Sequence, residues 1–577
     1  MSGLPTLKSG LELQRAKAPA VFTGVMALLL ALVPCVIALM TVPTITETLS
    51  VSTWIHNGEE MFKHLPLWEL LRARWPYLIT AIVISLMAGA YAGYDAWEQA
   101  PLVESFLTPN PSDPRIYYDE NARLKLRTQF QMEAGRFASR GIWIAPFLNL
   151  PFRLETRNLL VVAASGHGKS NIVRSFAHQM IRRGDKVILH CNKGDVTQCF
   201  DLNDVILISP SHRDGWAWHV AADIDGPAAA AEFAKDVIPA SDQPFWSDSA
   251  RLVLADTISA MAHELGTEWG PGELLLTLLS KPQNLRDRIA SIDLSASPLL
   301  GNGDDDNGVD KTVQSIMSTL LSAAVYALRP MAYAWTHLPP EKRFSVKAWL
   351  SDTNSQSKIV IVQTSPNFEE MSTAVCGGIL RRVCKALSDA SVAIDANRRV
   401  SLVLDEMYSL GRVEGLAKAL SVGREKGLVC LAALQSQQQL DELYSKEASL
   451  LLDLFQIKIY GRLTAGPSAE LAEKTIGSRD IIWSAPNKHP EKDDKRRYVM
   501  KEAHVPVVTS TQLNRDFGVF EGDDGKEYVR AIVHYAGAAN RLDWPLTVWN
   551  KVGEGFVPAE WTRYMRQAGK PAEGATK

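Results

Sequence analysis

The chain has no C-x-x-C pair, no histidine cluster and only six cysteines in 577 residues, which excludes a disulfide framework and a zinc site of ordinary ligand spacing. The cysteines, at 35, 191, 199, 376, 384 and 430, read as reduced cytoplasmic thiols. An excess of either charge is also missing. Lysine plus arginine (61) nearly balances aspartate plus glutamate (64), so no global positive field draws in a polyanion, and any nucleic-acid site must be local. No LSGGQ-like stretch is present, which argues against an ABC exporter. Apolar residues are plentiful at 46%, enough in a chain this long for at least two cores and a modular organisation.

Charge is absent from two long runs near the start. Ala18 to Thr46 holds VFTGVMALLLALVPCVIALMTV, long enough at roughly 1.5 Å per residue to match a bilayer core of about 30 Å, and Pro76 to Tyr94 is just long enough to do the same. The first run alone could be a secretory signal, since Lys8, Arg15 and Lys17 precede it. Two spans that return the chain to the cytoplasm accord better with the ATP-dependent loop downstream. The sequence therefore predicts an N-terminal two-helix transmembrane anchor over 1–114, with spans at about 20–43 and 76–94 and a periplasmic hairpin at 47–75. Trp54, Trp68 and Trp75 near the hairpin's ends suit a membrane interface. Basic residues lie on both sides of the first span, so the ATPase sets the orientation: a multi-pass protein of the bacterial inner membrane, with its ATPase cytoplasmic. The bland alternative is a buried core hairpin in a soluble fold.

The strongest chemistry lies in NLLVVAASGHGKSN, residues 158–171. An apolar run of strand length leads into a loop ending Gly-Lys-Ser, and helical spacing follows from Ile172 to Arg182, the order a phosphate-binding loop requires. Ala163 stands where the motif usually has its first glycine, a position that needs only a small side chain, and His167 is expected to project outward. Successive backbone N–H groups from Ala164, Ser165, Gly166, His167 and Gly168 through Asn171 would cradle phosphates at the helix N-terminus. Lys169 would reach the outer phosphates and Ser170 would ligate Mg²⁺, making ATP and Mg²⁺ the expected cofactors.

Further along, Val400 to Leu404 is an apolar strand ending in Asp405 and Glu406. Asp405 is expected to hold the Mg²⁺ water shell and Glu406 to polarise the attacking water. A buried strand with solvated acids at its end is the plainer reading of that segment alone. Leu428 to Leu434 is another buried strand, and Gln435 at its carboxyl end is placed to sense the γ-phosphate. Arg424, in the GREKG stretch before it, fits either a cation at a helix C-terminus or an arginine finger for a neighbouring subunit's nucleotide.

Lys169 and Asp405 are 236 residues apart, about twice what a compact phosphate-loop core needs. The excess falls between about Gly226 and Arg343, where apolar spacing is helical in segments such as ARLVLADTISAMAHEL and KTVQSIMSTLLSAAVYAL. The sequence thus predicts an α/β fold: a RecA-like P-loop NTPase domain (115–225 and 344–550), an inserted all-α domain (226–343), and a C-terminal tail (551–577). A helical lid is the alternative for the insertion.

Together these residues resemble the type IV secretion coupling proteins of the TraD and TrwB kind, the ATPases of bacterial conjugation. The resemblance rests on the two apolar runs, Gly168-Lys169-Ser170, Asp405-Glu406, GREKGL followed by LQS, Gln243-Pro-Phe-Trp246 with Ser249-Ala-Arg251, and IKIYGRL with LAEKTIG between Ile457 and Gly477. It covers most of residues 18 to 480 and implies a homo-hexameric ring threaded by DNA, single- or double-stranded and without sequence preference. A relaxase and the components of a secretion channel are the implied partners. By position it implies that Arg157 sits near the nucleotide, that Arg424 acts in trans, and that Gln435 couples hydrolysis to movement. A septal DNA translocase of the FtsK kind, or an ATP-dependent receptor for protein substrates, are alternative readings of the same engine.

Overall fold

The computed structural model describes residues 25–30, 79–80, 82–94 and 115–563, apart from 293–294, 302–310, 352–356, 396 and 487–497. The chain divides into two units, residues 1–113 with 478–505 and residues 114–477 with 506–577. In the first unit the described parts are short helical stretches and a two-stranded ribbon, Ser478–Pro486 with Tyr498–Pro506.

The expected membrane location is overturned here. Among the described residues no helix is long and apolar enough to cross a membrane. Within the expected second span the described residues 79–80 and 82–94 are helical. The first span, save for 25–30, and the hairpin at 47–75 lie outside the described residues.

The second unit is built on an eleven-stranded sheet. In chain order its strands are β1 (Ile116–Tyr118), β2 (Leu159–Val162), β3 (Lys186–Cys191), β4 (Ile206–Ile208), β5 (Ile359–Gln363), β6 (Val400–Leu404), β7 (Leu428–Leu434), β8 (Ile457–Tyr460), β9 (Gly518–Glu521), β10 (Glu527–Tyr535) and β11 (Ala538–Pro545). Their spatial order is β1-β11-β10-β8-β2-β7-β6-β3-β5-β4, with β9 flanking β10. From β8 to β4 every pairing is parallel; β8 to β10, β10 to β11 and β9 to β10 are antiparallel.

The parallel strands read as unbroken apolar runs, LLVV, VSLVL and LVCLAAL, because both faces of a parallel sheet are covered. Alternation divides them between two cores. Leu160, Val162, Ile188 and Leu402 face one apolar cluster, while Leu159, Val161, Leu189 and Val403 face the other. Helix α1 (Asp119–Ala134) and helix α2 (Lys169–Arg183) contribute Leu126, Phe130, Phe176 and Met180 to the second.

Between β4 and β5 the chain leaves the sheet for a series of helices, among them α3 (Pro227–Val237), α4 (Pro244–Leu265) and α5 (Lys311–Ala323), the last continuing through a π-turn at Ala324–Leu328. Both ends of this excursion meet: Ala217–Trp218 pairs in parallel with Arg343–Phe344. Buried Asp223 clasps the junction, accepting hydrogen bonds from Trp218 Nε1 (2.7 Å), Ser345 Oγ (2.7 Å) and the backbone N–H of Val346 (2.9 Å). The helices share the first core with the sheet, from Val162 through Trp218 and Phe233 to Ile258 and Ile316.

Beyond β11 the chain does not leave as a tail. Residues 546–563 run as a strap past the carboxyl ends of the strands: Val552 and Gly553 donate to the Gln198 carbonyl, Ala559 donates to Ser211, and Trp561 Nε1 donates to Pro210. The remainder of the expected tail, from 564, lies outside the described residues.

Candidate active site

Parallel pairing brings the carboxyl ends of β2, β3, β6 and β7 to one edge, where loops converge and ligands bind in sheets of this type. The phosphate-type loop leaves β2 there. Its start is fixed by two backbone bonds, Ala163 N–H to Leu434 O (3.1 Å) and Ala164 N–H to Arg462 O (2.8 Å). Alanine at 163 fits because its neighbour across the gap is Gly461; a Cβ there would lie 2.9 Å from the Ala163 Cβ. Gly168 caps α2 in the left-handed region (φ 86°), and a Cβ on it would meet the Val529 methyl groups at 2.5 and 2.6 Å. Strand β10 therefore presses on the loop from behind.

Lys169 and Ser170 open α2 and meet the acids at the end of β6. Lys169 Nζ lies 2.8 Å from Glu406 Oε2, and Ser170 Oγ donates to Asp405 Oδ1 at 3.2 Å. Gln435, just past β7, donates its amide to the same Glu406 oxygen at 2.9 Å. Burial pushes the Asp405 carboxyl up in pKa, opposed by the Lys169 ammonium and the Ser170 hydroxyl. A divalent cation fits this donor set: a serine hydroxyl and a carboxylate, both oxygen ligands, sit within hydrogen-bond reach of one another.

These side chains line a cleft of about 300 Å³. Ser165, Gly166, Gly168, Lys169, Ser170, Asn171, Asp405, Glu406 and Gln435, all expected, border it. Ala164 and His167 belong to the loop but not to the cleft wall. His167 is half-buried and packs in its own chain, its Cβ 3.4 Å from the position a Cβ on Gly518 would take. Burial and then the nearby Arg462 guanidinium lower its pKa. Asn171 touches the cleft, but its side-chain amide is engaged elsewhere: Nδ2 donates to Pro545 O (3.1 Å) and Oδ1 accepts from Thr547 N (2.6 Å).

Arg157 is not brought to the cleft. It precedes β2 and Arg424 precedes β7, so both lie at the amino edge of the sheet, separated from the carboxyl edge by strands of 4 and 7 residues, roughly 13 and 23 Å. Arg157 pairs there with Glu133 of α1 and with Gln456 Oε1 (2.7 Å). Arg424 lies beside it; burial first, and then the Arg157 charge, lower its pKa. Within a single chain, then, Arg157 is separated from the cleft by the strand that precedes the phosphate-type loop.

The sequence reading passed over five residues of the cleft. Asn192, Lys193 and Asp195 follow β3, and the rule that parallel strands present their carboxyl ends to ligand, applied to KVILHC, would have found them. Val519 stands on β9 and Leu546 just past β11, in a region where only the alternation in EYVRAIVHY and AANRLDWP signals a meander. Buried His190 lies beneath the cleft, held neutral with a pKa of about 3 by burial and the Lys169 charge.

Sheet, loop and cleft define an α/β nucleotide-binding fold of the P-loop class. A family model described as the type IV secretion-system coupling protein DNA-binding domain matches residues 143–515, and the chain belongs to that family. Coupling protein TraD of Escherichia coli (strain K12) is 24% identical over 335 residues, which is 57% of this chain and 45% of TraD, less than half of that protein's length. Two solved structures of the plasmid coupling protein TrwB are also similar, one with ADP and Mg²⁺ and one with the non-hydrolysable ATP analogue ADPNP. They give TM-scores of 0.60 and 0.59 at 22% identity, covering 77% of this chain in both cases and 97% and 96% of theirs. At that identity the likeness is one of fold.

Proposed function

We propose that this chain is an ATPase whose RecA-like domain, carrying an inserted helical domain (226–343), couples hydrolysis to the transfer of DNA through a type IV secretion channel in conjugation. The carrying observation is the convergence of Lys169, Ser170, Asp405, Glu406 and Gln435 within hydrogen-bond reach at one edge of the sheet. ATP and Mg²⁺ are the ligands that suit it, and they occur, the nucleotide as ADP or an analogue, in the related TrwB structures.

In this reading the loop amides and Lys169 hold the outer phosphates, Ser170 and Asp405 hold the cation, and Glu406 orients the attacking water. Bound Mg²⁺ would neutralise charge developing between the outer phosphates. Lys169 pairs with Glu406, and phosphate would compete for the ammonium, leaving Glu406 and Gln435 to face the water. Arg424, remote from its own cleft, would serve the cleft of a neighbouring copy, with Arg157 beside it. That requires a closed ring, for which six copies is our reading. A relaxase-bound strand is the proposed cargo.

The test is ATP hydrolysis by the full chain with and without single-stranded and duplex DNA. Stimulation by either, weakening with salt as phosphate contacts release counterions, is expected. A rate indifferent to both would sink the DNA motor.

A further inference from the structure

The C-terminal meander, which carries none of the expected chemistry, supplies the apolar wall of the cleft. Val519 stands on β9, paired with Val529, the residue that packs against Gly168. Leu546 stands at the first position after β11, beside the start of α2. Both side chains are well exposed for their type, 39% and 37%, and both border the cleft. Leu546 is held there deliberately: Asn171 grips the backbone on either side of it, bonding to Pro545 O and Thr547 N, and the Leu546 N–H donates to Glu527 O at 3.0 Å. The polar residues of the cleft lie where phosphate and cation would go, after β3, β6 and β7. Asn171, the polar side chain next to Leu546, has its amide oxygen and nitrogen already committed to backbone.

We infer that Leu546 and Val519 seat the nucleoside, so that the base packs on apolar side chains and its hydrogen-bonding edges are read by no side chain. The inference rests on the nucleotide reading of this cleft and extends it to specificity. Two consequences follow from the chemistry. Purine nucleotides differing only at the base edge bind alike, since discrimination by factors of about 10⁴ needs buried polar partners that this wall lacks. Removing the wall weakens nucleotides but not the bare phosphate chain.

The experiment is calorimetric titration of the full chain with ATP, GTP and inorganic tripolyphosphate, for wild type, Leu546→Ala and Val519→Ala. Each substitution is expected to weaken ATP and GTP by about tenfold, the usual worth of a lost apolar contact, and to leave tripolyphosphate unchanged. The wild type is expected to hold ATP and GTP within about threefold of one another. Unchanged ATP affinity in both variants, an equal loss for tripolyphosphate, or a preference for ATP beyond about tenfold would overturn the inference while leaving the phosphate site intact. Failure of the wild type to bind either ATP or tripolyphosphate would instead overturn the nucleotide reading, and the base seat with it.

Discussion

The two edges of the same parallel sheet carry different sets of charged side chains. At the carboxyl edge a lysine, a serine, two acids and a glutamine are locked to one another by short side-chain bonds. At the amino edge Arg157 and Arg424 stand beside Glu133, with no phosphate-type loop near them. In the proposed function the carboxyl edge is where the triphosphate is held. Of the arginines, Arg174 pairs with Asp195 of the cleft wall, while Arg157 and Arg424 lie a strand's length away. On that proposal, Arg157 and Arg424 reach a nucleotide only where the amino edge of one copy meets the carboxyl edge of another.

The largest effect expected is at the carboxyl edge. Lys169→Ala should lower ATP hydrolysis by at least about a thousandfold, measured by phosphate release, because it removes the phosphate-loop cation proposed to reach the outer phosphates. Comparable hydrolysis in that variant would break the comparison at its first term.

Arg424→Ala should cost nearly as much hydrolysis, on the order of a thousandfold, while leaving nucleotide binding intact. Mixing it with Lys169→Ala chains should restore part of the activity, since each variant keeps the edge the other lacks. No recovery on mixing would place Arg424 outside the reaction.

A smaller effect concerns the strands between the two edges. His534 of β10, opposite Lys458 of β8, is pushed down to about 4 by burial and then by the Lys458 charge, from an ordinary value of 6.5. Above that value both folded and unfolded chains hold a neutral imidazole. As pH falls from 6.5 towards 4 the unfolded chain takes up a proton the folded chain refuses, and stability drops by up to roughly 1.4 kcal/mol per pH unit. The melting temperature should therefore fall on acidification, and less steeply in His534→Gln; equal slopes would show that the imidazole carries no such penalty.

The smallest effect is diagnostic by its absence. Arg157→Ala should leave the ATP affinity of dilute, unassembled chains within about twofold of wild type, because the side chain is exchanged from an ion pair far from the cleft. A large loss in that assay would put Arg157 near its own nucleotide after all.

The parallel strands and the phosphate loop were legible because each is local. LLVV, VSLVL and LVCLAAL announce burial by composition, and the spacing of Gly166, Gly168 and Lys169 is fixed by what a phosphate demands of a backbone. Asp405, Glu406 and Gln435 could be read because a parallel strand points its carboxyl end at ligand. Direction along the strand was the harder matter. Arg157 lies only twelve residues before Lys169 in sequence, and only strand geometry shows that it faces the other way. Val519 and Leu546 were illegible for a different reason: ordinary aliphatic residues in an antiparallel hairpin carry no sign of the loop they will flank, more than three hundred residues earlier. The uncharged runs near the start satisfied a length rule, yet among the described residues no helix is long and apolar enough to meet it.

The clasp at Asp223 bears on how such a chain can change over time. With Ala217–Trp218 and Arg343–Phe344 paired side by side, the helical excursion departs and returns through a single doorway, closed by hydrogen bonds to Asp223 at the end of its first short helix, Val220–Asp223. Insertions or deletions within the excursion then leave the doorway's dimensions alone. The register of β4 and β5, and through them the spacing of the reactive edge, is insulated from whatever the helices are remodelled to grip.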